Sequence, residues 1–284
     1  MIKNNLVFVF LLISNSLFSQ LSTTVHHENF QIIIDENFSE SDALTAHLDK
    51  YKNLSPPTGI LYDRAVPMSD IGLFTGSGTI LNSDKVIFDQ ALFELQFAGF
   101  DNSIKPNNTN VPFEEYETTQ INLLNIIYDV IRTPEAIGSE ALIEDASGNY
   151  MENTTNPSII YDKKRAFIAC VNREKIYNGN NTIYRLNSNN YISNYDKNYI
   201  SLEINFDDGL GLRNINTNTN ILVNYNSIGE KTISVKLTNL EGVILLSKFN
   251  VTVSSLSLPP NLHYFLKADI PYNGVTNWAV ATHF

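Results

Sequence analysis

The chain has 284 residues, a formal charge of -11 and a single cysteine. The negative charge argues against a nucleic-acid or anionic-lipid partner, since both need a basic surface, and one thiol rules out an internal disulfide. Asparagine is over-used, at 37 residues or about 13% of the chain, and Asn side chains favour turns between short strands.

In chain order, Lys3, the apolar run Leu6–Ile13 and a polar stretch ending at Gln20 have the layout of a secretory signal peptide over residues 1–20. The apolar run falls far short of the roughly 20 residues that cross a bilayer, and no later stretch is long and apolar enough to do so. Residues 1–20 carry one lysine and no acid, so their removal leaves -12. The expected location is extracytoplasmic: secreted, cell surface or periplasm.

Phe30–Asp35 reads as a strand and Ser41–Leu48 as a short helix. Ser55-Pro56-Pro57-Thr58-Gly59 breaks the pattern, and Gly and Pro punctuation makes residues 59–82 a loop. Within it, Asp63-Arg64 reads as an ion pair that locks the loop. Ser83-Asp84 precedes a run in which Phe88, Leu92 and Leu95 share one helical face, which predicts a helix near 84–98 stopped by Gly99. Asp101–Pro112 is a polar loop. Thr118–Asp129 fits helix or strand by periodicity and is assigned to strand, ended by Thr133-Pro134. Ala166–Val171 and Thr182–Leu186 read as strands around the Asn178–Asn181 turn. Cys170 lies inside the first of these apolar runs and reads as a buried small hydrophobe.

The last third alternates most cleanly. Leu202, Ile204 and Phe206; Ile221, Val223 and Tyr225; Ile233, Val235 and Leu237; and Phe249, Val251 and Val253 form four period-2 runs separated by turn residues. That is the pattern of a small β-sandwich. The fold expected is mainly β with a minor helical portion. A mixed, mostly β domain spans 21–197, a sandwich 198–255, and a linker with a C-terminal segment 256–284.

Ile204-Asn-Phe-Asp207-Asp208-Gly209, followed by Tyr225 and then by Gly229 and an alternating strand, resembles a PKD-like (Ig-like) domain. The family carries Gly-Asp-Gly where this chain has Asp207-Asp208-Gly209. The resemblance implies an Ig-like β-sandwich over 198–255. On the residues themselves, Asp208 can accept backbone hydrogen bonds across the turn and Gly209 can take a positive φ. Asp207, Asp208, Gly209, Tyr225 and Gly229 therefore read as a structural turn motif, since two adjacent Asp are too few for a calcium site. Pro57–Pro67 and Asn187–Asn194 resemble the N-terminal region of uncharacterised exported proteins from gram-negative bacteria that use type IX secretion. In longer members a hydrolase-like or sorting domain can follow.

No catalytic residue, metal site or cofactor is expected. There is no His-Glu-x-x-His, no Gly-x-Ser-x-Gly, no P-loop and no dinucleotide fingerprint. His26 and His27 read as a flexible pair near the mature N-terminus. Glu114-Glu115 and Asp207-Asp208 are adjacent and would face opposite ways in a strand. Tyr-rich loops can contact carbohydrate or protein, and Tyr191 and Tyr195 are the candidate ligand contacts. The function expected is a secreted, non-catalytic structural or adhesion module, with a polysaccharide or another surface protein as partner and no nucleic acid. One alternative is the accessory front of an exported hydrolase whose catalytic domain lies beyond Phe284. Another is a carbohydrate-binding module.

Overall fold

One long strand organises the chain. The computed structural model describes residues 42–65, 67, 69–100, 118–177, 182–195 and 198–254. In it β2 (Thr118–Ile131) runs through the middle of a sheet and is flanked along both edges. On one side β5 (Tyr161–Val171) pairs with it antiparallel, from Ile121 opposite Val171 to Ile131 opposite Tyr161. On the other side β7 (Thr182–Arg185) and β8 (Tyr191–Ser193) pair with it parallel, one after the other. β11 (Asn220–Val223) adds to β7 and ends this sheet. The ambiguous apolar run thus forms a strand. It lacks clean alternation because both of its faces are buried.

Three of the period-2 runs form the other large sheet. β12 (Gly229–Asn239) lies between β9 (Tyr199–Asn205) and β13 (Ile244–Ser254), with β10 (Leu212–Asn214) on the far side of β9. Two short segments from earlier in the chain pair parallel with β13: β1 (Asn82–Ser83) and β6 (Lys175–Tyr177). Ile233, Val235 and Leu237 of β12 face inward against Leu123, Phe167 and Tyr184 of the β2 sheet, within one apolar core.

The boundary placed at residue 198 cuts through this core. Strands 199–254 supply one sheet and the strand β11, and residues 121–186 supply the opposing face. The physical reason is that a single sheet with one apolar face cannot close a core by itself. The architecture is mainly β, as expected.

Helix α1 (Asp42–Lys50) opens the described chain, and α2 (Lys85–Phe97) is the predicted amphipathic helix. The Asp84 side chain caps α2 by accepting the Ile87 N–H at 2.7 Å. Phe88, Leu92 and Leu95 pack on the second face of the β2 sheet, against Leu124, Ile126, Ile168 and Cys170. The order of layers is therefore sheet, sheet, helix. A third apolar cluster surrounds α3 (Thr133–Gly138), the hairpin of β3 (Leu142–Glu144) and β4 (Tyr150–Glu152), and α4 (Pro157–Ile160). No helix among the described residues is long and apolar enough to cross a membrane.

Residues 74–83 tie the two sheets together along one side. Phe74 C=O accepts the Phe167 N–H of β5 at 2.7 Å, and Gly76 C=O accepts the Leu246 N–H of β13 at 2.8 Å. The Ser83 hydroxyl bonds the carbonyls of both Ala169 and Lys248. Gly76 has φ of 80°, and a Cβ there would lie 2.9 Å from the Phe167 Cβ. The stretch predicted as loop over 59–82 is irregular apart from single 3-10 turns at Tyr62–Arg64 and Ile71–Leu73 and the start of β1 at Asn82, and Gly76 is fixed by both conformation and space.

Candidate functional site

Buried ionisable groups concentrate around the loop 58–69. Glu94 on α2 and Asp129 on β2 are each 1% exposed. Asp129 Oδ2 accepts both the N–H and the hydroxyl of Thr58 at 2.8 Å. Glu94 accepts the Tyr62 hydroxyl at 2.6 Å, the Ser69 hydroxyl at 3.0 Å and the Ser69 N–H. Asp63 Oδ2 accepts the Ile131 N–H at 2.7 Å. Three carboxylates therefore rivet this loop to α2 and β2 through neutral donors, which satisfies groups that would be costly to bury unpaired.

The local electrostatics follow from that burial. Desolvation, then the hydrogen bond to Glu94, pushes the Tyr62 hydroxyl far above its ordinary range. Desolvation, then the Glu94 charge, pushes Tyr128 up to about 12. Burial also raises the Asp63 carboxyl, against the lowering effect of the Ile131 N–H. Asp63 and Arg64 do not pair with each other, contrary to expectation. Arg64 donates to the Gly99 carbonyl at 3.0 Å and stacks 4.1 Å over the Phe100 ring. Every contact in this cluster fastens the loop, and the chemistry on display is that of a structural lock.

The two tyrosines named from sequence are placed differently from one another. Tyr191 is 3% exposed, inside the core between the sheets, and its hydroxyl accepts from Asn125 at 3.1 Å. Its ring is not available to a ligand. The residue reads as loop in sequence, yet it begins β8 and fills the inner face of the sheet. Tyr195 is half-buried; its hydroxyl donates to Glu241 at 2.7 Å and Arg165 lies 5.5 Å over its ring. The ring is thus packed between two structural neighbours.

The turn motif is assembled by its own side chains. Asp208 Oδ1 accepts the Leu210 N–H at 3.2 Å, and its Oδ2 pairs with Arg213 at 2.8 Å. Asp207, at φ of 57°, accepts the Thr232 N–H at 3.1 Å, which ties the turn to β12. Gly209 has φ of 88° and Gly229, which opens β12, has φ of 114°. Tyr225 is buried, with its hydroxyl 2.9 Å from that of Tyr184. Among the described residues no three His, Cys, Asp or Glu are grouped to hold a metal ion. Cys170 is fully buried, and desolvation drives its thiol far above the ordinary range. His26, His27, His263 and His283 lie outside the described residues, and His47 Nε2 lies 3.1 Å from the Arg64 carbonyl.

A broad surface among the described residues is the outer face of the β10–β9–β12–β13 sheet. Alternation turns Ile233, Val235 and Leu237 inward, so Ser234, Lys236 and Thr238 point out. Cross-strand register places Asn205 beside Ser234, with Lys248 on the far side, and Glu203 beside Lys236, with Leu246 on the far side. An open groove of about 230 Å³ follows this face, lined by Ile80, Leu212 and Leu246 together with Asn205, Ser234, Lys236 and Lys248. Lys236 pairs with Glu203 at 2.7 Å. Sequence reasoning missed this surface although its signal was present, because every second residue of the three alternating runs that form this sheet had to face outward.

No protein-family model matches the chain, and no curated protein matches it.

Proposed function

We propose that this chain is an exported, non-catalytic binding module that works through the outer face of the β10–β9–β12–β13 sheet. The groove between Leu212 and Leu246 carries the reading: it places apolar side chains beside hydroxyl, amide and ammonium groups on one open face. A few polar groups around an apolar floor suit recognition of a polar polymer. Hydroxyls and amides such as Ser234 and Asn205 match the hydroxyls of a polysaccharide, the partner class favoured here. The export part rests on residues 1–20, and the PKD-like relationship on the Asp207–Gly209 turn with Tyr225.

The test is retention of the full chain in gels containing soluble polysaccharides, with the Leu246→Asp and Ser234→Trp variants alongside. Retention that these two variants lose, at unchanged melting temperature, supports the reading. Retention that survives both variants removes the outer face as the site. N-terminal sequencing of protein recovered outside the cytoplasm checks the export claim, which fails if Met1 is still present there.

A further inference from the structure

We infer that the open edge of β5 at Lys163–Arg165 receives an extended, acidic segment of a partner protein, which joins the β2 sheet as an additional strand. This inference is independent of the outer-face reading and concerns the other sheet. The hydrogen-bond alternation of β5 identifies the edge. Phe167 N–H donates to Phe74 C=O at 2.7 Å and Ala169 N–H donates to Ser247 Oγ at 2.9 Å. The odd-numbered residues of β5 therefore direct their main-chain groups away from β2. Lys163 and Arg165 belong to the same set, and their N–H and C=O groups have no partner on that side among the described residues.

The opening has definite ends. Phe74 covers the edge from Phe167 onward, and the Tyr161 N–H is taken by Pro157 C=O. Five residues, 162–166, remain, a window of roughly 17 Å at strand rise. Elsewhere the long strands are covered. β13 has Gly76, β1, Glu174 and β6 along its edge. The far edge of β2 has β7, β8, the Asn194 side chain, Ile60 and the Asp63 carboxylate in succession.

The charge around the opening sets the kind of segment. Lys163 and Lys164 are exposed and Arg132 lies beside them through the Asp162 carboxylate, whereas the Arg165 guanidinium turns back across β2 to Asn125 and Tyr195. Asp162 is shared by Arg132 and Lys164, at 3.2 Å from the former. Asp129, opposite Lys163 on β2, is buried and bonded to Thr58. The edge is thus locally cationic on a chain of net charge -11. An added strand would gain main-chain hydrogen bonds at Lys163 and Arg165. Its carboxylates at alternate positions would meet the Lys163 side chain on one face and Lys164 on the other. Lysines on a sheet edge also discourage pairing with neutral strands, so the same residues select for an acidic one.

The experiment titrates the full chain with an end-blocked peptide of alternating glutamate and valine. Two comparators accompany it: a serine–valine peptide, and the glutamate peptide N-methylated on its edge-facing amides. Calorimetry reports binding, and amide hydrogen exchange reports the Lys163 and Arg165 N–H groups. The glutamate peptide is expected to bind and to slow exchange at both amides by roughly tenfold or more, while neither comparator does so. The Lys163→Glu and Lys164→Glu double variant is expected to weaken binding by roughly tenfold or more at unchanged melting temperature. Should the variant be destabilised, exchange at the two amides of the unaltered chain decides the matter. The inference is overturned if the glutamate peptide does not bind up to millimolar concentration. Equal binding of the N-methylated peptide, or unchanged exchange at Lys163 and Arg165, overturns it as well.

Discussion

The Asn194 side-chain amide bonds both main-chain groups of Ile127, accepting from its N–H at 2.9 Å and donating to its C=O at 2.8 Å. It does what a peptide unit of a neighbouring strand would do. The parallel pairing of β8 on β2 ends at Ser193 opposite Asn125, and Asn194 extends the pairing by one more step. Removing this amide leaves two strand groups without partners in a half-buried place. Asn194→Ala is expected to cost about 1–3 kcal/mol, read as a lower urea midpoint at unchanged slope. Asn194→Asp keeps the acceptor but cannot donate to the Ile127 carbonyl, so its cost at neutral pH should not fall below that of the alanine variant.

Gly76→Ala tests the strap between the sheets. Its φ of 80° disfavours any L side chain, and the new Cβ would meet the Cβ of Phe167 at 2.9 Å and Leu245 at 3.2 Å. Neither neighbour can swing away, because the Phe167 contact is at Cβ and both lie in packed strands. The expected loss is roughly 1–3 kcal/mol, visible in thermal melting. Gly78 has a similar φ but nothing within 4 Å, so Gly78→Ala should cost less. Equal costs at the two positions would mean that backbone strain, not crowding, fixes Gly76.

Asp63→Asn separates hydrogen bonding from charge. Burial raises the Asp63 carboxyl above its ordinary range, so the folded state binds this proton more tightly than the unfolded chain does. The stability this supplies is fully present below the unfolded aspartate range and is lost as pH rises through the folded value. The substituted amide retains an oxygen to accept the Ile131 N–H and carries no charge to desolvate. The variant should therefore match the parent in acid and gain on it as pH rises from the ordinary aspartate range toward neutrality. Urea midpoints measured across that interval check the sign, and a parent that gains on the variant with rising pH contradicts it.

How far the sequence predicts these features depends on whether the cause is local. Asp84, Phe88, Leu92, Leu95 and Gly99 mark α2 because its cap, its apolar face and its stop lie within one stretch of chain. The alternation of Ile233, Val235 and Leu237 likewise finds β12. Asp208 and Gly209 announce their turn because the Leu210 N–H they satisfy is two residues from Asp208. Non-local causes were hidden. Tyr191 looks like a loop residue until β8 pairs with Leu123 and Leu124, more than 60 positions away, and turns it into the core. The two-residue β1 exists only because β13 lies beside it, and Asp63 finds the Ile131 N–H rather than Arg64. The core shared across residue 198 is hidden for the same reason. Alternation says that a strand has an apolar face, but not which other stretch of chain covers it.

The Tyr184–Tyr225 pair allows the coupling of the two sides of residue 198 to be measured. Tyr184 belongs to β7 and Tyr225 follows β11, and their hydroxyls lie 2.9 Å apart in the shared core. Desolvation pushes Tyr225 up to about 12 and Tyr184 higher still, so both stay neutral and one donates to the other. Tyr225→Phe leaves the Tyr184 hydroxyl buried without this partner and should cost about 1–3 kcal/mol. Tyr184→Phe should cost a similar amount. The double variant removes both hydroxyls and should lose clearly less than the sum of the two single losses, because neither polar group is then stranded. Urea unfolding of the four proteins closes the cycle. Additive losses would show that the two hydroxyls act independently. A coupling well above zero would show that the two sides of position 198 are energetically linked through this pair.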